Sequence, residues 1–302
     1  MKALSIFEKN DVKALSRRSK LQDITSLYIQ NASNLDINFS IFQSLQELWI
    51  SSKQEYQIPN SFVKLDNLNK FVLGKNCFLP EHVHFPKNLR ELWLKKNNIH
   101  NPPHNIRQSQ SIKELILAYY GDIEPCPVPE WIFDMAQIEK IRFTVCRFTK
   151  ISEKINQLEN LVSLDFGCSL SDLKSFPDLS GLKKLKHLVV RYENIQGQNR
   201  PSNSLFPQVL ESIKELNQLE SLDLSFWQAD KKSILDIFDR YPHLKELSLC
   251  GMKLNSVPST VLELRDLEYL SLKGNLLTEN EIKSIIQYLP NCKIDSDFPV
   301  IS

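Results

Sequence analysis

Glycine is scarce in this sequence: there are seven in 302 residues, at 74, 121, 167, 181, 197, 251 and 274. No two stand two or five apart, which excludes the GxGxxG and GxxxxGKS/T loops that cradle phosphates, and with them the nucleotide-binding enzymes built on such loops. Cysteine is no richer. Cys77, Cys126, Cys146, Cys168, Cys250 and Cys292 are scattered, with no CxxC pair, and in a chain this long they read as reduced residues of a reducing compartment. An excess of one charge is also missing, since 37 Lys+Arg against 36 Asp+Glu leave a net +1. No global basic field therefore argues for nucleic acid or an anionic membrane. No run of about 18 apolar residues is present to span a bilayer. The opening residues break into charge at Glu8 without the apolar stretch of a secretory signal. These absences predict a cytosolic protein. The alternative is export, with a signal lying outside this sequence or by a signal-independent route. Two glycosylation sequons, at Asn31 and Asn38, are too short to weigh on the choice.

What the sequence does have is 42% hydrophobic residues, ample for a large core, and they recur in order. One spacing repeats: apolar, two residues, apolar, one residue, apolar. It reads Ile24-Leu27-Ile29, Leu45-Leu48-Ile50, Leu68-Phe71-Leu73, Leu89-Leu92-Leu94, Ile112-Leu115-Leu117 and Ile138-Ile141-Phe143. It continues as Leu161-Leu164-Phe166, Leu185-Leu188-Val190, Leu219-Leu222-Leu224, Leu244-Leu247-Leu249 and Leu267-Leu270-Leu272. Successive starts lie 21, 23, 21, 23, 26, 23, 24, 34, 25 and 23 residues apart. A single such unit cannot bury its apolar face, whereas stacked units bury it against one another. Length then follows repeat number, and the two domains that 302 residues would suggest are not needed.

The pattern resembles that of the leucine-rich repeat family over residues 24 to about 290. The fullest matches to LxxLxLxxNxL run from Leu68 to Phe78 with Asn76, from Leu89 to Ile99 with Asn97, and from Leu267 to Leu277 with Asn275. Elsewhere the asparagine position holds Ala32, Lys53, Tyr120, Cys146, Ser169, Glu193, Trp227 and Met252. Cys and Ser can replace Asn in bonding backbone groups, whereas Lys, Glu, Trp and Met do so less well and predict irregular turns. The resemblance implies an α/β leucine-rich repeat solenoid, a curved horseshoe with a parallel sheet on its concave face and mixed helical, 3-10 and extended returns on its convex face. It implies one domain over residues 1–302, with an N-terminal cap (1–23), about eleven repeats (24–290) and a C-terminal cap (291–302). Val12 and Leu15 suggest a short helix in the first cap, and Ile294 and Phe298 cover the second end. The scarcity of glycine fits strands and short returns that rarely need left-handed turns.

The returns differ. Ile58-Pro59, Val128-Pro129 and Val257-Pro258 open short ones, whereas Ile234, Leu235, Ile237, Phe238 and Tyr241 share a helical face. Val209, Leu210, Ile213 and Leu216 mark a helix after the polar stretch 196–203. Thr278 and Glu281 spell a capping box before Ile282, Ile285, Ile286 and Leu289.

Alternation along each strand sends the second and third apolar residues inward and the residue between them outward. That outward position reads Tyr28, Trp49, Val72, Trp93 and Ile116, then Arg142, Asp165, Val189, Asp223, Ser248 and Ser271. Five consecutive apolar or aromatic residues in register predict an exposed stripe, and such patches mark interaction sites. With strands about 4.8 Å apart, Trp49 and Trp93 would lie about 10 Å apart across Val72. Glu47, Lys70, Glu91 and Glu114 flank the stripe on one side and Lys95 on the other, with Tyr119 nearby, and Arg142 begins a more polar zone. The candidate partner-binding residues are thus Tyr28, Trp49, Val72, Trp93, Ile116, Glu47, Glu91, Lys95, Tyr119 and Arg142. A mixed-charge rim around an aromatic centre suits a protein or peptide.

Catalytic and metal chemistry find little support. His82, His84, His100 and His104 cluster in sequence but lack the fixed three- or four-ligand pattern of a metal centre. Cys168 and His187 fall at opposite ends of adjacent strands, too far apart for a nucleophile and its base. The reading is a non-enzymatic protein–protein interaction module without cofactor or metal, binding neither nucleic acid nor a membrane interior. Two alternatives stand beside it. One is a microbial effector or surface protein that binds host molecules or carbohydrate, which Lys- and Asn-rich wording such as Lys95-Lys96-Asn97-Asn98 would suit. The other is a GTPase-regulating repeat protein, although no arginine nominates itself for that role.

Overall fold

The computed structural model describes residues 2–6, 21–33, 35–81, 84–95, 99, 102, 104–119, 124–167, 169–192, 205–227 and 237–298. The chain divides into two compact units, Met1–Asp122 with Gln137–Ile141, and Ile123–Ala136 with Arg142–Ser302.

In the first unit, parallel strands lie side by side in sequence order: β1 (Ala3–Ile6), β2 (Ser26–Ile29), β3 (Glu47–Ile50), then β5 (Lys70–Leu73), β7 (Glu91–Lys95) and β8 (Glu114–Ala118). A two-stranded pair, β4 (Tyr56–Gln57) and β6 (Cys77–Phe78), runs on the return side. The second unit repeats the plan with β10 (Lys140–Thr144, whose first two residues belong to the first unit), β12 (Ser163–Asp165), β13 (His187–Val189) and β14 (Ser221–Asp223). It continues with β15 (Glu246–Ser248), β16 (Tyr269–Ser271) and β17 (Lys293–Asp295), and its outer pair is β9 (Cys126–Pro127) with β11 (Phe148–Lys150). Neighbouring strands of the main sheet keep the repeat in register, as in Leu27 beside Leu48, Leu48 beside Phe71 and Leu222 beside Leu247, whereas the outer pair β9–β11 shifts register between Phe148 and Lys150.

This is the repeat architecture expected. Leu48 and Ile50, Leu92 and Leu94, and Leu222 and Leu224 are buried as the alternation requires. Short turns bring the chain back: 3-10 helices at Asn60–Lys64 and Glu130–Asp134 follow Pro59 and Pro129, and the short helix α2 (Ser259–Leu262) follows Pro258. Proline has a fixed φ and no N–H to lose at a helix start. Helix α1 (Leu205–Ile213) buries Val209, Leu210 and Ile213. Helix α3 (Glu279–Tyr288) begins in the expected capping box, with Glu281 N–H donating to Thr278 Oγ1 at 3.3 Å and Thr278 N–H donating to Glu281 Oε2 at 2.7 Å.

Both ends of the repeat run go further than their sequences announced. Leu4 lies beside Leu27 and Ile294 beside Leu270, so each terminal segment adds a strand in register. The expected helix around Val12 and Leu15 lies outside the described residues, as do Ile234 and Leu235; Phe238–Arg240 of that stretch form a single 3-10 turn.

Two expectations about turns are corrected. Left-handed turns are common: φ is positive at Asn76 (58°), Val145 (55°), Gly167 (48°), Phe226 (69°), Gly251 (62°), Lys253 (58°) and Gly274 (69°). The chain must leave the sheet within a few residues after each strand, and here L-residues as well as glycines accept the cost of that turn. The second correction concerns Trp227, which does serve in the asparagine position. Its ring is fully buried and its indole N–H donates to the carbonyl of Val190, the same kind of cross-repeat bond that Asn275 makes to Leu249.

The return pair β4–β6 makes folding sensitive to alkali. Tyr56 and Cys77 sit side by side in register and are both buried. Burial pushes the Cys77 thiol up to about 12. Tyr56 is likewise raised to about 12, by burial first and then by the charges of Cys77 and Asp36. Their neutral forms are favoured in the folded state, so this contribution to stability is intact below the thiol's ordinary value of 9.0 and is lost as pH rises toward about 12. The urea midpoint should therefore fall between about pH 9 and pH 11. Tyr56→Phe, which also removes a buried hydroxyl with no hydrogen-bond partner among the described residues, should fall less.

Candidate functional site

The outward residues of the first unit form the candidate site. Trp49 stands on β3 between buried Leu48 and Ile50, so its side chain has no course but the open face. In register, Tyr28 lies beside Trp49, Trp49 beside Val72, and Val72 beside Trp93.

The rings do not keep the spacing of their strands. Trp49 and Trp93 approach to 5.7 Å between centroids at 41°, and Tyr28 meets Trp49 at 5.7 Å and 43°. The separation of about 10 Å describes the spacing of their two strands and not that of the rings. Val72 is short, and the two indoles lean over it. Val72 is consequently 2% exposed and is not a surface anchor, which corrects the reading of five exposed residues. Ile116, beside Trp93 in register, is 6% exposed, shielded next to a bulky ring, and Tyr119 is 7% exposed because its large apolar ring favours burial. Three aromatic rings remain half-buried at the surface: Tyr28, Trp49 and Trp93.

Charges brace these rings. Lys70 Nζ lies 5.0 Å from the Trp93 centroid and 5.8 Å from that of Trp49, and it pairs with Glu91 Oε1 at 3.0 Å. Glu91 Oε1 also accepts the Trp93 indole N–H. Lys95 Nζ lies 5.7 Å from the Trp49 centroid. Glu47 accepts from the hydroxyls of Ser26 and Tyr28, each at 3.4 Å. Ring–ring contacts contribute about 0.5–1.5 kcal/mol each, and exposed cation–π contacts about 0.5–1 kcal/mol. The rings are thus held in place before any ligand arrives. Lys70, which the sequence places only on the rim, is central here; its signal was its register position between Glu47 and Glu91. One group is left unsatisfied: Trp49 Nε1 is buried and has no hydrogen-bond partner among the described residues.

Arg142 belongs to the second unit. It pairs with Asp165 at 3.0 Å, whose carboxyl is raised by burial despite the Gly167 N–H and the charges of Arg142 and Arg191. Farther along that unit a polar row runs across the strands. Ser225 and Ser248 hydroxyls meet at 2.8 Å, and Cys250 Sγ lies 3.0 Å from Ser271 Oγ. Asp295 accepts from Ser271 and Tyr269 and pairs with Lys273, which holds its carboxyl below the usual range.

Among the described residues no group of three His, Cys, Asp or Glu could hold a metal ion. His84 is exposed, while His82, His100 and Cys168 lie outside the described residues. No helix among the described residues is long and apolar enough to cross a membrane.

A family model described as a leucine-rich repeat region matches residues 81–291. Among curated proteins the chain is similar to the human volume-regulated anion channel subunit LRRC8B, at 26% identity over 250 residues, covering 82% of this chain and 29% of that protein. It is similar to mouse CD180 antigen at 27% identity over 277 residues, covering 80% of this chain and 40% of that protein. The chain therefore spans less than half the length of these relatives. Among solved structures, an internalin of Listeria monocytogenes aligns with a TM-score of 0.50 at 15% identity, covering 96% of this chain and 94% of that one, a likeness of fold alone.

Proposed function

Because the chain belongs to the leucine-rich repeat family, whose members differ in the residues they set on a common scaffold, we propose that it is a non-enzymatic recognition module that binds a protein or peptide on the open face of its sheet. The observation that carries this reading is the braced aromatic cluster, Tyr28, Trp49 and Trp93, with the unsatisfied Trp49 indole N–H inside it. Trp and Tyr are preferred binding anchors, and rings already held in one rotamer lose little entropy on binding. A specific interface buries about 800 Å² per partner, an area that a few adjacent repeats can supply.

The test is affinity capture from the protein's source, with wild type against Trp49→Ala and Trp93→Ala. An anchor of this kind contributes about 2 kcal/mol or more, so each substitution should weaken capture roughly thirty-fold. Far-UV circular dichroism should be unchanged, because neither ring lies in the inward ladder. Undiminished capture of the wild-type partner by the double variant overturns the assignment.

A further inference from the structure

The open face of the first unit carries a charge gradient along its strands. At their N-terminal ends stand the carboxylates Glu47, Glu91 and Glu114. Glu91 is paired with Lys70, and Glu114 with Lys140 at 2.8 Å, while Glu47 bonds to neutral hydroxyls. Among the described residues, the charges nearest the C-terminal ends are cationic. Lys95 closes β7, and exposed Lys75 and Lys53 follow β5 and β3. Among the described residues the carboxylates that follow these strands, Asp36 and Glu55, come later: Asp36 lies near Tyr56 of the return pair and Glu55 immediately precedes β4. From Glu91 to Lys95 the strand covers about 13 Å, roughly four residues of an extended chain. The aromatic cluster lies midway.

The chemistry at Trp49 narrows what can sit there. Its buried indole N–H lacks an acceptor, and a buried unmet donor favours any ligand that supplies one. Two ammonium groups, Lys70 and Lys95, lie 5.8 and 5.7 Å from the same ring. An acceptor placed beside two cations is best supplied by a carboxylate.

We infer that the partner presents an acidic peptide segment, whose apolar side chain packs on Trp49 and Trp93 and whose adjacent Asp or Glu carboxylate accepts from Trp49 Nε1 between Lys70 and Lys95. This rests on the binding face proposed above and names the chemistry of its ligand. Electrostatic complementarity of this kind selects partners and sets orientation more than it adds raw affinity.

The experiment is an immobilised array of random peptides about 12 residues long, probed with the whole protein at low and high salt. Retained peptides should be enriched in Asp and Glu next to Leu, Ile or Phe, and retention should weaken as salt rises. Lys95→Glu and Lys75→Glu should each lower retention of acidic peptides about five-fold and raise that of basic ones. Trp49→Ala should abolish retention of both kinds. If retained peptides show no acidic bias, or if the lysine reversals change nothing while Trp49→Ala still abolishes binding, the acidic ligand is wrong and the binding face stands. If Trp49→Ala also changes nothing, or if wild type retains no peptide, both fall.

Discussion

Phe166→Ala is expected to destabilise the second unit by about 3–5 kcal/mol, the usual cost of truncating a fully buried aromatic. Phe166 follows β12 at an inward position of its repeat and is completely buried. Its ring stacks on Phe143 at 5.7 Å and meets Phe176 edge-on at 5.7 Å, and Phe143 in turn contacts Phe148 at 4.8 Å. These four rings link successive repeats with their return segments, so a cavity at Phe166 removes contacts on both sides at once. A repeat array draws its stability from each unit and from its interfaces with its neighbours. The loss should therefore appear as a lower urea midpoint and also as a lower slope, if part of the array unfolds before the rest. Phe226→Ala is the control, since that ring is 44% exposed and its removal should leave the unfolding free energy within about 0.5 kcal/mol of wild type. A Phe166 variant as stable as the control would mean that the aromatic column does not hold the repeats together.

That column could be read from the sequence, because Phe143 and Phe166 occupy the third apolar position of their repeats, and register alone decides that such a residue faces inward. The same logic placed Leu48 and Ile50 in the core and Trp49 outside it. Strand β1 was equally legible: Met1, Leu4 and Ile6 repeat the spacing 23 residues before Ile24, although the run of charge that follows hides the match. Side-chain geometry was not legible. Strand spacing predicts about 10 Å between Trp49 and Trp93, but how far two rings lean depends on the size of the residue between them, and Val72 is small enough to be roofed over. The role of Lys70 is hidden in the sequence for a related reason. A lysine beside glutamates on neighbouring strands reads as an ordinary rim charge, and only the lean of the two indoles turns its ammonium into a brace between them. At Trp227 the residue type itself was misleading, since the motif asks for an amide, yet any well-placed N–H donor can meet a carbonyl of the preceding repeat.

Asn275→Asp should be strongly destabilising, because Asn275 serves two neighbouring turns at once. Its Nδ2 donates to the carbonyls of Leu249 and Leu272, both at 2.8 Å, and its Oδ1 accepts from the N–H groups of Met252 at 3.0 Å and Leu254 at 3.1 Å. Aspartate keeps the two acceptor bonds but turns a donor into an oxygen that faces two carbonyl oxygens. Unmet or repelled backbone groups in a partly buried site cost about 1–3 kcal/mol each, so a loss of roughly 2–4 kcal/mol is expected near pH 7. The deficit should depend on pH in a definite direction. A carboxyl facing carbonyl oxygens is raised in the folded state, because only its protonated form can donate to them. The protonated form restores one of the lost bonds, so the variant should recover as pH falls and lose stability as pH rises through the folded value. Asn275→Ala, which loses all four bonds and gains no titrating group, should be destabilised to a similar extent but with a deficit that stays flat. Urea midpoints of both variants at about pH 4.5 and pH 7.5, referred to wild type at each pH, distinguish the two behaviours. Parallel deficits would mean that the carbonyls of Leu249 and Leu272 do not depend on the donor that the structure assigns to them.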